Sequence, residues 1–354
     1  MNKNHVIGRL GLLAGALSMW AAAPVSNAAP AYEPGRAELE QVLEDLTEWL
    51  PGAWDSFPQV YFERTVRAPK AGEHEHWHRV FARISAPQIG THVFYGQINV
   101  GGRGGAMMPR SQILYNATID EARGVVSVIG QGPADPEKYE NLQDRPELWS
   151  AVRQRDPSSV RCDFVWRRSG SQIFGVLEGR EPEARKYGPG TCTYMAGGNR
   201  DVEFFADAEW VLGPDALWLY DINKMAGHIF TGRADQTHIR LSRAQPFRCE
   251  IVDGRGSRVV EAHDRGFTAD VTATGGRKRE LLLLRAAMPA RAGAGLKERL
   301  RLSLQEPGEL RAIASAEADA TAEDVAIRSD GVEAHCSRTA SFLTSPGSDA
   351  KTGT

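Results

Sequence analysis

Leu39, Leu43, Leu46 and Leu50 recur at steps of three and four, with Pro34 ahead of them and Pro51 and Gly52 behind. That spacing lines one face of a helix and the prolines bound it, so one amphipathic helix is predicted over residues 34–52. From Phe57 the period drops to two: Val60 and Phe62 come first, then Trp77, Val80, Phe81 and Ile84, then residues 93–100, 113–119 and 125–129. Alternation of this kind predicts half-buried strands joined by turns. A polar insert over residues 133–155 has helical composition around 147–155. Alternation resumes at 160–166, and Ser169 and Gly170 turn the chain into a hairpin with 172–177. Further strands are predicted at 201–212, 216–222, 228–232 and 238–241.

Nine or ten short strands in succession predict a closed or nearly closed antiparallel barrel, because closure removes exposed sheet edges. On the segment from Glu203, the side chains of Phe204, Ala206, Ala208, Trp210 and Leu212 point one way, and those of Glu203, Asp207 and Glu209 the other. After Phe247 the aromatics thin out and Arg, Ala and Gly increase, yet 258–262, 267–272, 280–284 and 299–304 still alternate. The expected fold is mainly β: a calyx-like antiparallel barrel preceded by one helix (residues 34–245), a smaller β-rich unit (246–340) and a disordered tail (341–354).

Charge narrows the partners. Forty-two Lys and Arg against 45 Asp and Glu give a formal net charge of -3, without the basic surplus that phosphate backbones require, so no nucleic-acid partner is expected. Residues 1–28 carry Lys3 and Arg9, an uncharged run from Leu10 to Val25, and then Ser26, Asn27 and Ala28. This is the layout of a secretory signal peptide, and no later stretch is apolar for long enough to span a bilayer. The mature chain is expected to be exported, periplasmic or secreted. Export favours disulfides among Cys162, Cys192, Cys249 and Cys336; three pairings are possible, and 162 with 192 and 249 with 336 are favoured because each closes within its own region.

Motifs for specific chemistry are sparse. Gly101, Gly102, Gly104 and Gly105 follow a strand, but no helix starts after them, so they read as a turn and not a phosphate cradle. No GxSxG supports serine hydrolysis. Asp207 and Glu209 on alternate strand positions read as a solvated face. His74, His76 and His78 share one side of an extended strand at a spacing that a divalent transition metal accepts. No motif places a carboxylate beside them, so they read as solvated and no metal is assigned. Tyr95 and Gln97 share a strand face, with Gln112 and Tyr115 on the next strand; together they suit a pocket that stacks a flat ligand and orients it by hydrogen bonds.

The order of several short motifs resembles the CpcT/CpeT family of T-type phycobiliprotein chromophore lyases over roughly residues 39–243. Trp49, Leu50, Pro51 and Gly52 with Gln59 are similar to its opening; His78 and Arg79 to its H-R strand; Gly90, Tyr95, Gly96 and Gln97 to its G, Y and EQ. Pro109, Gln112 and Tyr115 fall at its PYRQR and tyrosine. Cys162, Trp166, Phe174, Gly175 and Cys192 resemble its cysteines around a hairpin, and Tyr220, Asp221, Gly227 and Arg233 its closing D-G and R. The resemblance implies a barrel that binds an open-chain tetrapyrrole (a bilin) and helps join it by a thioether to a cysteine of an acceptor protein. Mapped residue by residue, the ligand-binding set is Tyr95, Gln97, Arg110, Gln112 and Tyr115, with no catalytic residue assigned. Ser111 and Ile113 replace two expected arginines, and Gly96 an expected glutamate. Three expectations follow: an exported barrel that binds a small apolar or tetrapyrrole-like molecule, a true lyase acting on an exported acceptor, or a secreted module with a filled barrel.

Overall fold

The computed structural model describes residues 34–66, 72–156, 161–188, 190–195, 202–233, 235, 237–289 and 295–340. The expected signal peptide (1–28) and the expected disordered tail (341–354) lie outside the described residues. Helix α1 (Arg36–Trp49) leads into β1 (Gly52–Asp55) and a second helix α2 (Phe57–Thr65). Strands β2 (Trp77–Ile84), β3 (His92–Val100), β4 (Ala106–Met107), β5 (Ile113–Asp120) and β6 (Val125–Gln131) precede the insert. After it come β7 (Cys162–Ser169), β8 (Gln172–Gly179), β9 (Thr191–Met195), β10 (Glu203–Leu212), β11 (Ala216–Met225), β12 (His228–Thr231) and β13 (Ile239–Arg243).

Ten of these strands form an unbroken antiparallel ring in the order β1-β2-β3-β5-β6-β7-β8-β10-β11-β13 and back to β1. The barrel expected from the alternation is therefore present and closed. Strands β10 and β11 are longer than their neighbours, and beyond the ring they are flanked by β9 and β12.

Helix α1 packs against one end of the barrel. Val42, Leu46 and Leu50 are buried in the same cluster as Trp54, Phe81, Trp166 and Trp210, which the i, i+4, i+8 spacing achieves by stacking them on one face. Pro51 ends the helix, and Gly52 turns the chain into β1 with φ of 136°, a value that L side chains rarely adopt. The Arg243 guanidinium lies over Gly52, donates to the carbonyls of Trp49 and Pro51, and sits 4.3 Å from the Trp54 ring centroid. A cation thus meets the carbonyl end of the helix dipole.

Three expectations need correction. Residues 57–65 are helical and not extended. Pro58 sits in the first turn, the Asp55 carboxylate accepts the Phe57 main-chain N–H at 2.8 Å, and Phe57, Val60 and Tyr61 share one helical face. Phe62, which made the run look alternating, is exposed. Second, the insert holds only short 3-10 turns, Leu142–Asp144 and Pro146–Ala151, where a helix was expected over 147–155. Its Tyr139, Leu142 and Val152 cover the outside of the barrel at Ile84, Val93, Tyr95 and Leu114. Third, the C-terminal part contains eight strands where four were legible.

Those eight are β14 (Pro246–Asp253), β15 (Gly256–His263), β16 (Arg265–Thr272), β17 (Lys278–Pro289), β18 (Leu296–Gln305), β19 (Ala312–Asp319), β20 (Asp324–Ser329) and β21 (Val332–Arg338). They form two four-stranded antiparallel sheets, β15-β14-β21-β20 and β16-β17-β18-β19. One apolar core between them holds Phe247, Ile251, Leu281, Leu283, Leu300, Leu302 and Leu304. The opposite face of β17, with Leu282, Leu284, Ala286 and Met288, packs on Phe57 and Tyr61 of α2. That contact ties the sandwich to the barrel.

Both favoured disulfides are present. Cys162–Cys192 links the start of β7 to β9, and Cys249–Cys336 joins directly paired residues of β14 and β21 inside the sandwich core. They close 30 and 87 residues. Replacing the second pair by alanines should destabilise the protein by about 3–5 kcal/mol, and more than the same change at 162 and 192, because the longer loop frees more unfolded-state entropy. Urea midpoints of the two double variants measure this; equal losses would contradict it.

Candidate functional site: the barrel cup

Away from α1 the barrel is hollow and opens between the ends of β3, β5, β6, β10 and β11, leaving a cavity of about 1600 Å³. Its depth is set by what the inward side chains fill. Aromatics form the floor: Trp210 lies 4.8 Å from Phe164, 5.8 Å from Tyr115 and 6.0 Å from Phe81 by ring centroids. Glycines make room for them. Tyr115 pairs across the sheet with Gly130, and Trp166 and Trp210 both pair with Gly175. A Cβ on Gly96 would come within 2.9 Å of Tyr115 and 3.1 Å of Phe81. The glutamate expected from the family pattern has no space here unless those two rings move.

One buried cation stands on the floor. Arg79 projects from β2, donates to the Tyr115 hydroxyl at 2.8 Å, and stacks its guanidinium 4.3 Å from Trp210 and 4.6 Å from Phe81. Its Nε and the indole Nε1 of Trp210 are buried and have no hydrogen-bond partner among the described residues. Both residues line the cavity. Two orphan donors beside a cation on an aromatic floor favour a guest that brings an oxygen acceptor.

Across the cup, β11 turns Asp221 and Asn223 inward. The Asn223 amide donates to the Asp221 carboxylate at 2.7 Å. Burial lifts the Asp221 carboxyl to about 6; the Arg79 charge and the Asn223 amide oppose that lift only in part. The exposure that Asp221 retains is toward the cavity. Burial likewise raises the Tyr115 hydroxyl, against the pull of Arg79.

The residues expected to bind ligand divide by strand face. Tyr115 lies on the floor, Arg110 stands exposed at the mouth with φ of 61°, and Gln112 borders both the cavity and the Tyr95 hydroxyl. Ile113 and Ser111 also line the mouth. Tyr95 and Gln97 do share a face, but it is the outer one. The Tyr95 hydroxyl donates to Gln97 Oε1 at 2.7 Å, which also accepts the main-chain N–H of Asn141 at 3.0 Å, while the Gln97 amide donates to Asn141 Oδ1 at 2.8 Å. Both side chains thus anchor the insert. Alternation shows that two residues share a side and leaves open which side is the lumen. Trp210 and Arg79 complete the floor and Asp221 the facing wall; the alternation along 203–212 carried the only sequence signal for Trp210.

A second polar cluster lies where barrel and sandwich meet. Asp55, fully buried at the end of β1, accepts from His76 Nε2 at 2.8 Å and His78 Nδ1 at 3.0 Å, and His263 Nε2 lies 3.7 Å away. Burial opposes its charge, yet the two imidazole contacts hold its carboxyl well below the usual range. Burial pushes His263 down to about 3, against the attraction of Asp55. His74 is separately engaged by Glu63 at 2.6 Å. None of His74, His76 and His78, of which only His78 lies within β2, is a solvated outward residue. Asp55, His78 and His263 are the described residues that could hold a metal ion.

No family model matches the sequence, and no curated protein matches it. Among solved structures, the chain is similar to a CRL protein of Arabidopsis at 13% identity, over 58% of this chain and 99% of that one, with a TM-score of 0.41. It is also similar to the T-type phycobiliprotein lyase CpeT from Prochlorococcus phage P-HM1, at 12% identity, over 57% and 96% of the two chains, with a TM-score of 0.30.

Asp221 gives the cup a pH signature. Its folded carboxyl titrates near 6 and its unfolded one near 4, so the folded chain takes up a proton first. The stability from that proton is fully present below about pH 4 and is lost as pH rises through 6. Asp221→Asn should therefore raise stability at pH 7–8, on the order of 2 kcal/mol after screening by water in the cup, and flatten the pH 4–7 slope. Urea unfolding across that range measures it; an unchanged slope would show that Asp221 titrates normally.

Proposed function

We propose that this protein is an exported β-barrel that binds a small apolar or tetrapyrrole-like molecule in its cup. The observation that carries the reading is the cavity of about 1600 Å³ with an aromatic floor and one stacked cation. Cavities that take small organic ligands are concave and largely apolar with a few placed polar groups, and this one is roomy enough for a ligand of tetrapyrrole size. Trp210, Phe164 and Tyr115 offer faces for a flat body, and Arg79 meets an acidic or carbonyl oxygen. Two disulfides, with no free cysteine among the described residues, fit an oxidising compartment, periplasmic or extracellular. No helix among the described residues is long and apolar enough to cross a membrane.

A second reading, a lyase that joins a bilin to a cysteine of an acceptor protein, draws support from Asp221, whose carboxyl near 6 can hold and release a proton inside the cup. Gly96, Ser111 and Ile113 count against it, since the acid and the two arginines of the family pattern are missing.

The protein without residues 1–28 is mixed with biliverdin, phycocyanobilin or haem and its visible spectrum recorded. Binding should shift and sharpen an absorption band. Arg79→Met should weaken affinity about tenfold or more, through loss of a charge-assisted contact. Tyr95→Phe should bind as the parent does, because that hydroxyl serves the insert. An unshifted spectrum with all three pigments would remove the tetrapyrrole reading. A lyase would also leave denaturant-resistant colour on an added acceptor protein, and Asp221→Asn would abolish that colour while retaining binding.

A further inference from the structure

We infer that Asp55, His78 and His263 form a binding site for a divalent transition metal, clamping the barrel to the C-terminal sandwich. The three residues come from separate elements: Asp55 ends β1, His78 lies in β2, and His263 ends β15 of the sandwich. All three side chains are at least 97% buried. Their ligand atoms lie within 4.8 Å of one another, with Asp55 Oδ2 at 3.0 Å from His78 Nδ1 and 3.7 Å from His263 Nε2. A tetrahedral ion with bonds of about 2.0–2.1 Å holds its ligand atoms roughly 3.3 Å apart, between these two separations.

The surroundings orient the set. Asp55 Oδ1 accepts the Phe57 main-chain N–H and faces His76 Nε2, each at 2.8 Å, which leaves Oδ2 directed at the other two rings. Outer contacts of this kind fix the carboxylate before an ion arrives. The rings of His78 and His263 lie 5.0 Å apart and 29° from parallel, so both are held against the same oxygen.

Donor chemistry selects the ion. Two imidazole nitrogens and one carboxylate oxygen suit zinc, cobalt, nickel or copper, and not magnesium or calcium, which take oxygen ligands. Binding through His263 Nε2 places that ring's proton on Nδ1, which faces the main-chain N–H of Arg265 at 3.3 Å. That sets two N–H donors face to face, so the ring must shift from Arg265 when the ion binds, a cost that an ion with strong affinity for imidazole offsets.

The inference stands independently of the cup and its guest. Untagged protein, stripped with a chelator and dialysed, is titrated with cobalt(II) and with zinc(II). One ion per chain should bind, cobalt should develop the intense visible bands of a four-coordinate site, and zinc should raise the thermal midpoint. His78→Gln and His263→Gln should each weaken binding by about a hundredfold and lose the thermal shift, whereas His335→Gln, on the exposed face of β21, should bind as the parent does. A cobalt spectrum identical to that of the free ion, with no thermal shift, would overturn the proposal, as would unchanged binding in the two variants. If a variant does not fold, the parent titration decides alone.

Discussion

Closure of the sheet is the constraint on which the rest of this structure depends. Once β11 pairs with both β10 and β13, every ring strand has two neighbours and the inward side chains must share one lumen. A ten-stranded ring encloses more volume than its own aliphatic side chains can fill. Helix α1 seals one end with Leu46 and Leu50, aromatics seated opposite glycines occupy the middle, and the remaining space is the cup.

The same closure explains why polar chemistry sits where it does. Arg79 is carried into the lumen by the alternation of β2, and its charge is met by the faces of Phe81 and Trp210 and by the Tyr115 hydroxyl. Asp221 enters from the opposite wall, where a low-dielectric floor holds back its ionisation. Outside the ring, Tyr95 and Gln97 serve the insert, and Asp55 serves the junction with the sandwich. One strand can thus contribute to two sites, because its successive residues belong to different compartments.

Much of this was legible from periodicity. The helix at α1, most of the ring strands and both disulfide pairings follow from spacing and cysteine position. Segments without a strong pattern were not legible. Strand β1 has four residues, β19 alternates alanines against Ile313, Ser315, Glu317 and Asp319, and α2 presents so narrow an apolar face that Phe62 mimicked a strand. Strands β14, β20 and β21 of the sandwich likewise went unassigned.

By itself the sequence determined local period, and with it the two side-chain rows of each strand whose pattern was strong enough to read. Which row faces inward depends on how the sheet curls, and that is settled by contacts between residues far apart in the chain. Tyr95 therefore looked like a lumen residue and is not one, while Trp210 stood in plain view on an alternating strand without a role. The gathering of Asp55, His78 and His263 is the extreme case. More than 180 residues separate His78 from His263 in the chain, so only the packing of sandwich on barrel brings the second imidazole to the carboxylate.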